Sequence, residues 1–175
     1  DAFISLGDGT NATRYTNNVT IKDCTFSTTN PEGVAIKSYT GGDRNLQVIG
    51  CTVNAGMHSL LQVANVEQGL KVEGCEVYSK NGINLNYTPS LAMDACTFDV
   101  RGYAVRVGVN ASVETKAKTF TISNSNLKSA CAESDDAVIV IRDNAKHATL
   151  NLTNTTLEGT RDILGATSQT TINRK

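Results

Sequence analysis

The chain has 175 residues, which is enough to bury a hydrophobic core without disulfides or metal ions. Its 16 basic and 17 acidic residues are interspersed and give a net charge of −1, so no basic patch suited to nucleic acid or an anionic membrane stands out. No run of 18 apolar residues occurs, and we expect no membrane-spanning segment. We expect residues 1–175 to form a single domain.

Taken in chain order, one eight-residue phrase recurs six times. Its sixth position is cysteine in the first four copies, then serine, then threonine. The copies are VTIKDCTF from Val19, LQVIGCTV from Leu46, LKVEGCEV from Leu70, LAMDACTF from Leu91, FTISNSNL from Phe120 and LNLTNTTL from Leu150. Apolar residues at positions 1, 3 and 8 predict a short strand, a corner at the fifth position and a second short strand.

A second alternating run follows each phrase, so each repeat carries at least one further strand. These runs begin at Val34, Leu61, Ile83, Val105, Val138 and Ile163. Strands this short cannot bury a core as hairpins, and no helical pattern lies between them, which leaves stacking of successive coils. The sequence therefore predicts an all-β, right-handed parallel β-helix of about six coils. We expect little or no α-helix.

The repeated phrase resembles that of the pectate-lyase-like right-handed parallel β-helix superfamily, from Asn18 to about Leu164. That superfamily includes pectate lyases, polygalacturonases, pectin esterases, phage tailspikes and adhesins on one scaffold. The resemblance implies an extracellular, cell-surface or virion protein whose partner is a polysaccharide or cell-surface glycan. We expect an adhesin-like or tailspike-like module without its own catalytic site. A fragment of a polysaccharide lyase or glycoside hydrolase is the alternative, and a purely structural fibre or assembly domain is the second alternative.

The sixth-position residues should stack in an internal column, because equivalent positions of successive coils lie about 4.8 Å apart. Stacked cysteine side chains point in parallel, which is poor geometry for a disulfide. We therefore expect Cys24, Cys51, Cys75 and Cys96 to be buried free thiols that pack as small apolar residues. Cys131 lies outside this column, in a loop.

Asp135, Asp136 and Arg142 are the candidates for catalysis. The aspartate pair before a strand is similar to that of polygalacturonases, where carboxylates act as general acid and base. The third aspartate, the Gly-His-Gly element and the Arg-x-Lys of that family are not found here in the right order. Adjacent strand residues also face opposite sides, so a turn would have to reorient the two carboxylates. A solvated turn that caps the following strand is the simpler interpretation.

Outward-facing side chains supply the candidate ligand-binding residues, because tyrosine faces and amide groups are suited to sugars. These residues are Tyr39, Gln62, Asn84, Tyr87 and Arg106, of which Gln62, Asn84 and Arg106 form part of one polar column. The same side chains could equally cover the outside of a solenoid without binding anything. For the second strand as a whole, the alternation predicts an outward column of Lys37, Ala64, Asn86, Gly108 and Arg142.

The outward column of the first strand is predicted as Lys22, Ile49, Glu73, Asp94, Ser123 and Thr153. Glu73 and Asp94 then lie on adjacent coils and could share a calcium ion, although two carboxylates alone make a weak site. We expect no other cofactor. Neither end of the chain carries a cap, which predicts further coils or a partner subunit, including a second copy of this chain.

Overall fold

The protein is a right-handed parallel β-helix, seen here in a computed structural model that describes residues 2–7, 16–38, 44–63, 66–109 and 117–175. Every strand pairing is parallel, as expected for stacked coils. The only helical segment among the described residues is a 3-10 turn at Asp143–Ala145. The prediction of an all-β solenoid with little or no helix is confirmed.

Three sheets form the sides of the solenoid. Sheet I contains β2 (Val19–Lys22), β5 (Leu46–Ile49), β8 (Leu70–Glu73), β11 (Ser90–Asp94), β14 (Thr119–Ser123), β17 (Thr149–Thr153) and β20 (Thr171–Arg174). Sheet II contains β3 (Thr25–Phe26), β6 (Thr52–Val53), β9 (Glu76–Val77), β12 (Thr97–Val100), β15 (Asn126–Ser129) and β18 (Thr156–Glu158). Sheet III contains β1 (Ala2–Leu6), β4 (Val34–Ser38), β7 (Ser59–Val63), β10 (Asn81–Leu85), β13 (Val105–Val107), β16 (Ile139–Ile141) and β19 (Ile163–Leu164).

Each copy of the repeated phrase forms a strand of sheet I, a corner and a strand of sheet II. The corner is the fifth residue of the phrase, where the backbone turns through the left-handed region. The six corner residues all have positive φ: Asp23 (52°), Gly50 (60°), Gly74 (59°), Ala95 (51°), Asn124 (48°) and Asn154 (46°). Glycine, asparagine and aspartate tolerate this conformation best, which explains why they hold five of the six corners.

The core runs along the inside of the coils as continuous columns of apolar side chains. Val48, Val72 and Ile122 are completely buried at the third position of the phrase. In sheet I, Val48 is paired with Val72, and Met93 is paired with both Val72 and Ile122, so the four side chains stack in one column. The predicted outward column of the first strand is confirmed by the same registers, since Lys22, Ile49, Glu73, Asp94, Ser123 and Thr153 are Cα partners in turn.

The predicted outward column of the second strand was wrong by two residues at its start. Lys37 is paired with Gln62, and not with Ala64, which lies outside the described residues. Sheet III instead aligns Lys37, Gln62, Asn84, Arg106, Val140 and Leu164. The reason is that Val34 is paired with Ser59, which in turn is paired with Asn81, and both are buried polar residues. The apolar runs at Leu61 and Ile83 therefore begin two residues later in the register than the run at Val34.

Candidate functional site

The outward face of sheet III carries a groove of about 210 Å³. It lies where β10, β13 and β16 end, and its lining is dominated by polar and cationic side chains. The lining residues are Asn84, Asn86, Arg106, Gly108, Val109 and Arg142. The groove thus brings together two predicted ligand-binding residues, Asn84 and Arg106, with one predicted catalytic residue, Arg142.

Arg106 is held in place from two sides. Its Nε donates to Asn84 Oδ1 of the neighbouring strand at 3.1 Å. Its guanidinium carbon lies 4.2 Å from the centroid of the Tyr103 ring, within the range of a cation–π contact. Tyr103 is itself buried in a small apolar cluster with Ala137 and with Val140 of β16, separate from the main core. The positive charge of Arg106 is therefore positioned before any ligand arrives.

Arg142 forms an ion pair with Asp135, so these two candidates contact each other. Arg142 Nη2 donates to Asp135 Oδ2 at 2.9 Å. This hydrogen bond holds the pKa of the Asp135 carboxyl below its usual value, and the positive charge of Arg106 acts in the same direction. Asp135 is thus a carboxylate at neutral pH, with 63% of its side chain exposed.

Asp136 is turned the other way and is 7% exposed. Its Oδ2 accepts a hydrogen bond from the Glu133 backbone N–H at 3.1 Å, and its own N–H donates to Glu133 O at 3.1 Å. These bonds close a tight turn before β16. Asp136 is therefore buried and stabilises the turn, whereas Asp135 forms an exposed ion pair. The two carboxylates do not face a common sugar.

Asn144 organises the groove, and sequence reasoning missed it. It lies in the 3-10 turn after β16 and is 1% exposed. Its Oδ1 accepts from Val109 N at 2.9 Å, and its Nδ2 donates to Asn86 O at 3.2 Å. One side chain thereby fixes the segments that leave β10 and β13. No sequence signal pointed to it, because its partners are 35 and 58 residues away.

The two candidate calcium ligands, Glu73 and Asp94, are neighbours in sheet I, as the register predicted. Glu73 forms an ion pair with Lys71. Asp94 Oδ1 accepts from Ser123 Oγ at 2.6 Å and from Asn124 Nδ2 at 2.9 Å, and these bonds lower its pKa. Each carboxylate thus has partners within the protein. In the described parts of the chain, no group of three potential metal ligands gathers at this point or elsewhere.

The three other predicted ligand-binding residues are Gln62, Tyr87 and Tyr39, and of these Gln62 and Tyr87 lie in the described part of the chain but not among the residues that line the groove. Gln62 continues the outward column between Lys37 and Asn84 and is half-buried. Tyr87 is 47% exposed and follows Asn86 directly, just beyond the end of β10. Tyr39 lies outside the described residues. An exposed aromatic ring therefore lies next to a groove residue in the sequence, while the second predicted tyrosine is not placed.

No family model, curated protein or solved structure matches this chain. The parallel β-helix rests on the strand pairing itself, whereas membership of the pectate-lyase-like superfamily stays a prediction. In the segments that the structure describes, no helix has the length and hydropathy needed to cross a membrane.

Proposed function

We propose that this protein is a glycan-binding module of the pectate-lyase-like superfamily, and that it belongs to a secreted, cell-surface or virion protein. The groove on sheet III is the binding site. The proposal rests chiefly on one observation: two guanidinium groups and two asparagine side chains line the same open groove. Amides exchange hydrogen bonds with sugar hydroxyls, and arginine pairs with acidic substituents through charge-assisted hydrogen bonds.

Binding without cleavage fits the two aspartates better than catalysis does. A glycosidase needs two carboxyl groups that flank the scissile bond, one of them free to exchange a proton. Asp136 is buried against the backbone of its own turn, and Asp135 is paired with Arg142. Tyr87, which is exposed and follows the groove residue Asn86 in the sequence, supplies a surface on which a sugar ring would stack.

An array of acidic and neutral polysaccharides tests this proposal, scored both for binding and for release of reducing ends or unsaturated products. We expect binding without turnover. Arg106→Gln and Arg142→Gln should each weaken binding by about tenfold, because each removes a charge-assisted hydrogen bond to the ligand. Arg174→Gln is the matched control, since Arg174 is an exposed, ion-paired arginine on β20 outside the groove.

Two results would overturn the proposal. Product release that disappears in the Asp135→Ala/Asp136→Ala double variant would identify a glycan-cleaving enzyme. No binding to any polysaccharide would favour a purely structural role in a fibre or assembly.

A further inference from the structure

We propose that Asp135 occupies the anion-binding position of Arg142, an arginine of the groove wall, and that the acidic group of a bound sugar displaces it. This inference rests on the proposed glycan-binding function and names its ligand class, a glycan that carries carboxylate or sulfate groups. The protein would then hold its own carboxylate in the place that the acidic group of the ligand takes.

The contacts of the two arginines define this position. Arg142 lines the groove and donates to the Asp135 carboxylate at 2.9 Å. Arg106 lines the same groove, and its charge also acts on Asp135. Its Nε is bonded to Asn84, and within the described part of the chain its terminal nitrogens donate to no acceptor. Two guanidinium groups thus lie within electrostatic reach of one exchangeable carboxylate.

The exposure of the ion pair indicates which partner moves. The Arg142 side chain is 23% exposed, whereas that of Asp135 is 63% exposed. Exposed ion pairs are weak, because water solvates both charges and the side chains lose rotamer freedom on pairing. The carboxylate can therefore leave at low cost, and the arginine stays in the groove wall.

The turn that carries Asp135 does not depend on this ion pair. Asp136 binds Glu133 through both its side chain and its backbone N–H. Arg161 Nη1 donates to Ser134 O at 2.6 Å from the following coil. Displacement of Asp135 therefore requires a rotation of one side chain and leaves the backbone of the turn in place.

Titration calorimetry at pH 7 and fixed ionic strength tests the inference with three probes. They are a uronic acid trisaccharide, the same trisaccharide with methyl-esterified carboxyl groups, and a sulfated neutral trisaccharide. The proteins are the wild type, Asp135→Asn, Asp135→Ala and the control Asp99→Asn. Asp99 is 54% exposed and ion-paired with Lys128 on sheet II, so its variant makes the same change in net charge on another face.

We expect both Asp135 variants to bind an acidic trisaccharide about threefold more tightly than the wild type, the size expected when an exposed ion pair no longer competes. The probe for which affinity increases, uronic or sulfated, identifies the acidic group of the ligand. Affinity for the methyl ester should stay the same, and Asp99→Asn should match the wild type throughout.

The failures of the two proposals are distinguishable. If the trisaccharides bind but neither Asp135 variant gains affinity for an acidic one, displacement is wrong while glycan binding stands. If Asp99→Asn gained the same affinity for an acidic trisaccharide, the change in net charge alone would explain the effect. That result would also contradict displacement. If no protein binds any of the three probes, the inference is contradicted, and the polysaccharide array separately decides whether glycan binding stands.

Discussion

The sixth position of the repeated phrase is a column of hydrogen-bond donors inside the solenoid. Cys96 Sγ donates to Val72 O at 3.7 Å and to Asp94 O at 3.2 Å. Thr155 Oγ1, in the same column, donates to Thr153 O at 3.0 Å. Asp94 O and Thr153 O each lie just before a left-handed corner, where they also accept the backbone N–H of the corner residue one coil earlier, Gly74 and Asn124. The side-chain donor adds a second hydrogen bond at this point. The column therefore stabilises the corners as well as filling space.

The sequence predicted part of this arrangement. All five cysteines are free, as expected, and three of the four in the column are buried, while Cys24 is only partly so. Burial raises the pKa of Cys51 to about 11, which keeps its thiol protonated and able to donate. The donor role was missed because the cysteines were interpreted as small apolar residues. Their replacement by serine and threonine in later coils was the available signal, since all three side chains carry a donor.

Ser125 offers the sharpest test of this column. Its Oγ donates to Ser123 O at 2.7 Å and accepts from the Cys96 backbone N–H at 3.1 Å. Ser125→Ala should lower the free energy of unfolding by about 1 to 3 kcal/mol, because it leaves the buried Cys96 backbone N–H without its acceptor. Ser123 O loses one hydrogen bond but still accepts from the Ala95 N–H. Ser125→Cys restores the residue type of the four preceding copies and should cost less than about 1 kcal/mol. Urea denaturation at pH 7 measures both, and equal losses would contradict the donor role.

Among the secondary-structure elements, sheets I and II were predictable and sheet III was less so. The repeated phrase fixes the frame of sheet I, because its apolar positions and its corner keep one spacing in every copy. In sheet III, the register partners of Val34 in the next two coils are the buried polar residues Ser59 and Asn81. Alignment of the strands on their first apolar residue therefore shifts β4 by two positions. The position of Lys37 relative to its neighbours was misassigned for this reason.

The candidate groove depended on that weaker frame. Asn84 and Arg106 were predicted to share an outward column, and they do so in adjacent strands. Arg142 was predicted in a second outward column with Asn86 and Gly108, and these three residues also line the groove. That the two columns meet in one groove could not be predicted, because it depends on the path of the chain after β13 and β16. That path is fixed by a buried side chain, Asn144, which bridges three successive coils.

Asn144→Ala tests this bridging role. The substitution removes an acceptor for Val109 N and a donor to Asn86 O, both from a side chain that is 1% exposed. We expect a loss of about 2 kcal/mol in unfolding free energy, the cost of leaving buried polar groups unpaired. Binding to the groove should weaken as well. The control is Asn173→Ala, since Asn173 makes one exposed hydrogen bond, to Asn151.

Denaturant unfolding and glycan titration of the two variants measure these effects. A stability loss in Asn173→Ala as large as that in Asn144→Ala would contradict the bridging role. If Asn144→Ala were destabilised but bound glycan normally, Asn144 would support the fold without shaping the groove.

At the scale of the whole molecule, the protein is a one-dimensional stack in which each strand pairs only with the coils above and below it. Core coverage consequently falls toward both ends. Val72 and Ile122 in the middle are fully buried, whereas Leu157 and Ile163 of the last full coil are only partly buried. At the outermost strands, Phe3 is 54% exposed and Ile172 is 37% exposed. The stability of each coil should follow this gradient, because neighbouring coils supply most of the buried area.

Amide hydrogen exchange, followed by mass spectrometry at pH 7, checks this expectation. Amides of β8, β11 and β14 should exchange most slowly, since their exposure requires the opening of coils on both sides. Amides of β20 should exchange first, because all four residues of that strand are exposed and it pairs with β17 alone. Opening should then progress inward, coil by coil. Equal protection of β20 and β11 would instead mean that the solenoid opens as one cooperative unit, and that contacts between neighbouring coils outweigh the difference in burial.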